Sequence, residues 1–126
     1  IVLRPTTATP EKFYAAADLV CAPSTGDEAF GLAVLEAMSC GVTVVATDIG
    51  VIPRILGSGQ GDLLVAPDDP AALAERLSSW LERPADRQRI GAILRQRALR
   101  GFGMAGGIDR YERILQSLAT AHAVGG

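Results

Sequence analysis

Two carboxylates, Glu28 and Glu36, stand eight positions apart in the stretch STGDEAFGLAVLEAMSCG, residues 24–41. Glu36 lies among Leu32, Ala33, Val34, Leu35, Ala37 and Met38. A helix of this composition has few wet faces. A carboxylate buried there without partners would cost several kcal/mol, so it must meet donors. A sugar diol suits it, because two adjacent hydroxyls can donate to its two oxygens. A pair of backbone N–H groups or an arginine would also serve.

The start of that helix offers a second piece of chemistry. Its first N–H groups lack intrahelical acceptors and carry partial positive charge, which favours a bound phosphate. Gly31 lets backbone and ligand come close. Asp27 or Glu28 could instead cap the same N–H groups. Eight helical steps cover roughly 12 Å, the scale of a nucleotide sugar. One arrangement then places a ribose at Glu36, a diphosphate at the amides of Phe30, Gly31 and Leu32, and a sugar at Glu28.

The elements around this stretch must position it. IVLRP reads as a short strand, and ATPEKFYAAAD as a helix with Thr9 as N-cap, Pro10 in its first turn and an apolar face of Phe13, Ala16 and Ala17. LVCAP fits a strand covered on both faces. The helix begun near Ala29 ends at Gly41, a left-handed cap. VTVVAT opens with four β-branched residues in a row and no polar alternation, the mark of a buried strand. DIGVIPRILGSGQG is loop with a helical turn near Pro53, and DLLVAP is a fourth strand. Asp69 and Pro70 start a helix lined by Leu73, Leu77, Trp80 and Leu81. Two amphipathic helices follow, separated by RGFGMAGG, and HAVGG is a frayed end.

Short apolar strands alternating with helices imply an α/β fold: a parallel sheet of about four short strands with flanking helices. Such sheets bind ligands beyond the carboxyl ends of their strands. That brings the Ser24–Gly31 and Asp48–Pro53 loops to one edge.

Length and composition narrow the function classes. A chain of 126 residues, 48% hydrophobic, holds one domain with a real core. The sequence opens on Ile1, so it is read as continuing upstream. It has no apolar run of membrane-spanning length and no leader pattern. Cys21 and Cys40 are expected as a buried, reduced pair in a cytoplasmic protein. Its only histidine is His122, in the expected tail, which argues against histidine-based nucleophilic or metal sites. Asp68 and Asp69 read as a helix cap, and no metal is expected. Residues 1–82 hold 4 basic and 11 acidic side chains, whereas residues 83–113 hold 8 arginines and 3 acids. Those arginines fall at helical surface spacing, and aromatics are 5% without basic interleaving, so no nucleic-acid platform is read.

The order of these segments resembles a known family. EAFGLAVLE, Glu28–Glu36, resembles the Glu-x7-Glu motif of the retaining glycosyltransferases of family 4, which have the GT-B fold. YAAADLVCAPS is similar to the family's Tyr-x-x-Ala-Asp-x-x-x-x-Pro-Ser lead-in, and EAMSCGVTVVATDIG to its helix–turn–strand. GQGDLLVAPDDPAALAERL is similar to the Gly-x-Leu-Val-x-Pro-x-Asp segment that follows. The likeness covers residues 13 to about 82.

The resemblance implies a retaining transfer of a hexosyl group from a nucleotide-diphosphate sugar to a saccharide or lipid-linked acceptor. Glu28 would contact donor-sugar hydroxyls as the catalytic residue. Glu36 would hold the ribose, and the amides of Phe30, Gly31 and Leu32 would reach the phosphates. Ser24 and Gly50 would line the same cleft. No cofactor beyond the sugar donor is implied. Residues 1–100 would be the distal half of a Rossmann-like donor domain, residues 101–121 a helix packed on it or toward a missing N-terminal acceptor domain, and residues 122–126 a tail. GVIPR replaces the family's Gly-Gly-x-Pro-Glu loop, keeping Gly50 and Pro53 but not the residues at 51 and 54. The resemblance also allows peripheral contact with the inner membrane surface. Glu28 and Glu36 would serve equally in a non-catalytic nucleotide-sugar-binding module that completes a site with a separate chain.

Overall fold

The computed structural model describes residues 2–3, 5, 7–26 and 28–123. In chain order the elements are α1 (Pro10–Ala16), β1 (Val20–Ala22), α2 (Leu32–Ser39), β2 (Val44–Thr47) and α3 (Ile52–Leu56). A 3-10 turn (Gly61–Leu63) leads into β3 (Leu64–Val65), followed by α4 (Pro70–Leu81), α5 (Pro84–Phe102) and α6 (Met104–Ala123).

The strands form one parallel sheet in the order β1-β2-β3. Val20 pairs with Val44 and Ala22 with Ala46, while Thr47 pairs with Val65. β2 is central and buried along its whole length, as its β-branched run predicts. The sheet has three strands among the described residues, not four. Val2, Leu3 and Pro5 of the expected first strand lie outside the sheet, and Ile1 and Arg4 fall outside the described residues. The apolar letters of that segment have no neighbouring strand here to pair with.

The core joins the sheet to α2, α4 and α5 through Met38, Ile52, Ile55, Leu56, Leu63, Trp80 and Leu94. α5 lies against α2, presenting Ile90, Gly91, Leu94 and Ala98 at helical spacing. Gly91 is needed for this approach, since a Cβ there would meet the Gly41 carbonyl. Thr43 adds a hydrogen bond from its hydroxyl to the Arg87 carbonyl, 2.7 Å. Gly41 adopts φ +79°, the left-handed cap expected of it. Asp69 caps α4 by accepting from the Ala72 amide at 2.9 Å. Thr9 precedes α1 but makes no capping bond from its side chain; its amide and hydroxyl pair with Thr7 instead.

Three expectations are corrected. The expected apolar face of α1 is wrong, because Phe13 and Ala16 are exposed and it is Tyr14 that packs toward the core. The cysteines are free, with Cys21 exposed on the edge strand β1 and Cys40 half-buried, so they are not a buried pair. The last helix begins at Met104, after a break at Gly103, and its backbone runs through His122 to Ala123, into the first two residues of the expected tail; residues 124–126 of that tail lie outside the described residues. Residues 104–120 of α6 are exposed throughout, and Ile108, Tyr111, Ile114, Leu115 and Leu118 form an uncovered apolar side.

Candidate functional site

The site is built by the loop that joins β1 to α2, held by the end of β2. Thr47, the last residue of β2, is buried. Its hydroxyl donates to the Ser24 carbonyl at 2.6 Å, with the Ala22 carbonyl at 3.5 Å. A hydroxyl at this depth must find an acceptor, and the one it finds fixes the path of the chain leaving β1.

Further along the loop, Glu28 is half-buried and fastened at both main chain and side chain. Its carbonyl accepts from the Val51 amide at 3.1 Å. Its Oε1 accepts from the Gly31 amide at 2.9 Å, and Ser24 Oγ stands 3.5 Å from its Oε2. Gly50, at φ +50°, presses its backbone on the Glu28 peptide; a Cβ there would lie 3.0 Å from the Glu28 carbonyl carbon and nearer still to the oxygen. Only glycine combines that φ with that approach. The Ser24–Gly31 and Asp48–Pro53 loops do meet at the carboxyl edge of the sheet.

α2 starts at Leu32, three residues later than the sequence pattern predicts. Gly31 is its N-cap at φ +60°, buried, and as a glycine it brings no side chain of its own to cap the helix start. The two capping alternatives separate here: Glu28 occupies the Gly31 amide, and Asp27 falls outside the described residues. Phe30 and Leu32 are 74% and 63% exposed, so an incoming group can reach their backbone.

Glu36 departs from expectation. The sequence predicts a carboxylate buried in apolar surroundings, and the structure places Glu36 on the exposed face of α2. The inward stripe of α2 is Gly31, Val34, Ala37 and Met38. Position 36 lies about 200° round the helix from Val34, at roughly 100° per residue. The donor it meets is Tyr14, whose hydroxyl gives a hydrogen bond to Glu36 Oε2 at 3.1 Å. Burial raises the Tyr14 pKa above 10.0, and the hydrogen bond to Glu36, the charge of Glu36 and that of Cys40 add to the shift. Tyr14, Leu32, Leu35, Glu36, Leu99 and Phe102 line an open groove of about 410 Å³ between α1, α2 and the end of α5.

Sequence reasoning missed Tyr14 and Thr47. A phenol on an otherwise alanine-rich helix is the signal that pointed to Tyr14. Thr47 closes a buried strand with its one polar side chain besides Thr43, which is the corresponding signal. Two further grooves share Phe102 and Arg97; Arg100 lines one, and Arg54 and Arg110 line the other. Arg97 serves the fold there, donating from Nε to the Ile55 carbonyl and from Nη2 to the Arg54 carbonyl, each at 2.7 Å. It satisfies carbonyls in the last turn of α3, as a cation at a helix C-terminus does. Asp62 draws in Arg76 and Arg83, and Arg83 stacks on Trp80 at 4.2 Å. Of the late arginines, Arg83, Arg87 and Arg97 tie backbone carbonyls, Arg100 and Arg110 line these grooves, and Arg89 pairs with Asp86 on the surface. Among the described residues no three His, Cys, Asp or Glu side chains gather as metal ligands, and no helix is long and apolar enough to cross a membrane.

Residues 4–97 match the family model described as glycosyl transferases group 1. Over 105 residues the chain is 35% identical to the phosphatidyl-myo-inositol mannosyltransferase of Mycobacterium leprae, covering 83% of this chain and 28% of that protein. It is 39% identical over 113 residues to the D-inositol 3-phosphate glycosyltransferase of Frankia alni, covering 86% and 27%. Among solved structures it superposes on the sucrose-phosphate synthase of Thermosynechococcus elongatus with a TM-score of 0.79 at 31% identity, covering 86% of this chain and 27% of that one. Anabaena HepE, solved in complex with UDP-glucose, gives 0.77 at 28% identity, covering 84% and 29%. The chain thus spans about a quarter of the length of the proteins it matches.

Proposed function

Since this chain belongs to the glycosyl transferases group 1 family, we propose that it supplies part of the donor site of an enzyme that moves a hexosyl group, with retention, from a nucleotide-diphosphate sugar to a saccharide or lipid-linked acceptor. The observation that carries the proposal is Glu28, held beside the glycine N-cap of α2 by Gly31, Val51 and Gly50. A sugar hydroxyl competes there for a carboxylate already fixed in place. The phosphates take the exposed first turn at Leu32, where unpaired N–H groups and the helix dipole favour negative charge. Glu36 accepts from the ribose at the rim of its groove. UDP-glucose in the similar HepE structure and the inositol-based names of the curated relatives support this class of donor and acceptor.

Catalysis in this reading is electrostatic. The first turn of α2 stabilises the departing diphosphate, and Glu28 orients the sugar as positive charge develops at its anomeric carbon. The leaving phosphate helps take the acceptor's proton, which keeps attack and departure on one face. Cations from outside this chain complete the diphosphate site, and the apolar side of α6 packs toward the acceptor domain. The purified 126-residue chain alone is therefore inactive in transfer. In the complete enzyme, Glu28→Gln lowers kcat about 10²-fold while donor affinity changes little. Glu36→Ala chiefly weakens binding of the nucleoside diphosphate. Steady-state kinetics and calorimetric titration measure the two effects; wild-type rate and affinity in both variants would refute the proposal.

A further inference from the structure

The groove around Glu36 holds a contact that sugar transfer as described above does not use. Glu36 stands on the exposed face of α2; Leu32 and Ala33, one turn before it, offer no donor side chain, and Ser39 and Cys40, one turn after it, make no side-chain hydrogen bond to it. Among the described residues no arginine or lysine forms an ion pair with it. Its partner is the Tyr14 hydroxyl, 3.1 Å away on a different element. Tyr14 is half-buried and packs against the core, so its ring is set by packing and its hydroxyl stands at a defined point. An unpartnered glutamate on a helix surface samples many rotamers, and a bound state must select one of them.

We propose that Tyr14 is a positioning residue, whose phenol holds the Glu36 carboxylate in the orientation that receives the vicinal hydroxyls of a donor ribose. This rests on the donor-site reading above and extends it to a residue outside the Glu28–Glu36 segment. An ionised carboxylate has about four acceptor sites on its two oxygens. The phenol takes one on Oε2. Oε1 and the other site on Oε2 remain for a diol. At 3.1 Å and exposed, this bond is longer than the roughly 2.5–2.7 Å of the strongest O–H···O⁻ contacts, so its worth is about 1 kcal/mol, a bias toward one rotamer. The effect is preorganisation: the side chain is already ordered when the ribose arrives.

Tyr14 also has a purely structural task to compare against. α1 contains no buried residue, so Tyr14 is a main point of its attachment. A tether would matter equally for every ligand. A positioning residue matters only for ligands that carry ribose hydroxyls.

The complete enzyme that contains this chain provides the test. ADP, GDP and UDP are titrated by calorimetry, and the tightest is compared with its 2′,3′-dideoxy counterpart. The proteins are wild type, Tyr14→Phe, Glu36→Ala and the double variant. Tyr14→Phe should weaken the ribonucleotide about fivefold and the dideoxy nucleotide less than about twofold. In the Glu36→Ala background, which has no acceptor for the phenol, the Tyr14 change should add nothing. In turnover Tyr14→Phe alone should raise the donor KM without lowering kcat. Equal losses for the two nucleotides, or no loss, would overturn the role of Tyr14. If Glu36→Ala weakens ribonucleotide binding and Tyr14→Phe does not, only Tyr14 is misassigned. If Glu36→Ala itself leaves the affinity and the ribose discrimination intact, the donor-site reading fails and the role of Tyr14 fails with it.

Discussion

Gly50→Ala is the sharpest perturbation of the site, because it alters Glu28 without touching its side chain. At φ +50° an alanine carries a conformational penalty of roughly 1–2 kcal/mol. Its Cβ would also stand 3.0 Å and 3.1 Å from the carbonyl carbon and amide nitrogen of Glu28, and closer to the carbonyl oxygen. Relief requires the Glu28 peptide to move on the order of 1 Å, given normal non-bonded separations of about 3.5 Å or more. That movement breaks the hydrogen bond from the Val51 amide, worth about 1 kcal/mol. The total is roughly 2–3 kcal/mol, and a displacement of this size at a catalytic group can lower turnover about 10²-fold. Gly59 is the control. It has φ +82° and nothing within 4 Å of an added Cβ, so Gly59→Ala carries the conformational penalty alone. Both variants should melt a few degrees lower in the complete enzyme, and only Gly50→Ala should lose transfer activity. Wild-type turnover in Gly50→Ala, or equal loss of turnover in Gly59→Ala, would refute the argument that Gly50 seats Glu28.

Two other predictions follow from the same contacts. Thr47→Val keeps the shape of a buried residue but leaves the Ser24 carbonyl without its 2.6 Å donor. It should cost about 1–3 kcal/mol, read as a lower urea midpoint at unchanged m-value. Tyr14 gives a pH dependence of definite sign. Its folded pKa is raised above 10.0, so in alkali the unfolded chain releases the Tyr14 proton first and binds fewer protons than the folded chain. The stability this provides is complete below pH 10 and is lost as pH rises through the folded pKa. Urea unfolding of wild type and Tyr14→Phe at stepped pH values above 10 should show the wild-type excess shrinking; a constant or growing excess would contradict the shift.

How far the sequence could be read depended on whether a residue's environment was local. The run Val42–Val45 fixes a buried strand by itself, because β-branched side chains on both faces have no polar edge to turn outward. Asp69 with Pro70 marks a helix start from two adjacent residues, and Gly41 marks a stop; the break read across RGFGMAGG narrows in the structure to Gly103, with helix on both sides. The Ser24–Gly31 and Asp48–Pro53 loops were legible as neighbours, since parallel strands bring their carboxyl ends to one edge. The direction of Glu36 was not. Its apolar neighbours Leu32, Ala33 and Leu35 suggested burial, but Leu32 and Ala33 are exposed, so their composition carried no information about the face. A start at Leu32 rather than Ala29 also changes which positions follow the inward stripe. The same limit hid Tyr14: α1 has two turns, too short for its period to separate Phe13 from Tyr14 as the packed residue. Val2, Leu3 and Pro5 lie outside the sheet despite their apolar composition, since pairing needs a neighbour that no local pattern supplies.

The exposure of Glu36 changes the physical case for a bound nucleotide rather than ending it. A buried carboxylate would have demanded a ligand, because leaving it unpartnered is costly. An exposed one is satisfied by water, so in the proposed site ribose hydroxyls would replace bonds of similar strength, for a net gain per bond of only about 1 kcal/mol. Affinity at this end of the donor must then come from what water cannot provide. The groove supplies apolar walls at Leu32, Leu35, Leu99 and Phe102, and Tyr14 supplies a carboxylate whose orientation is already set. Glu28 differs in kind: it is half-buried and tied at main chain and side chain, and in its proposed role small displacements would be amplified into rate. The two glutamates are therefore expected to separate in kinetics, Glu36 through binding and Glu28 through turnover, because one faces water and the other is locked against Gly50.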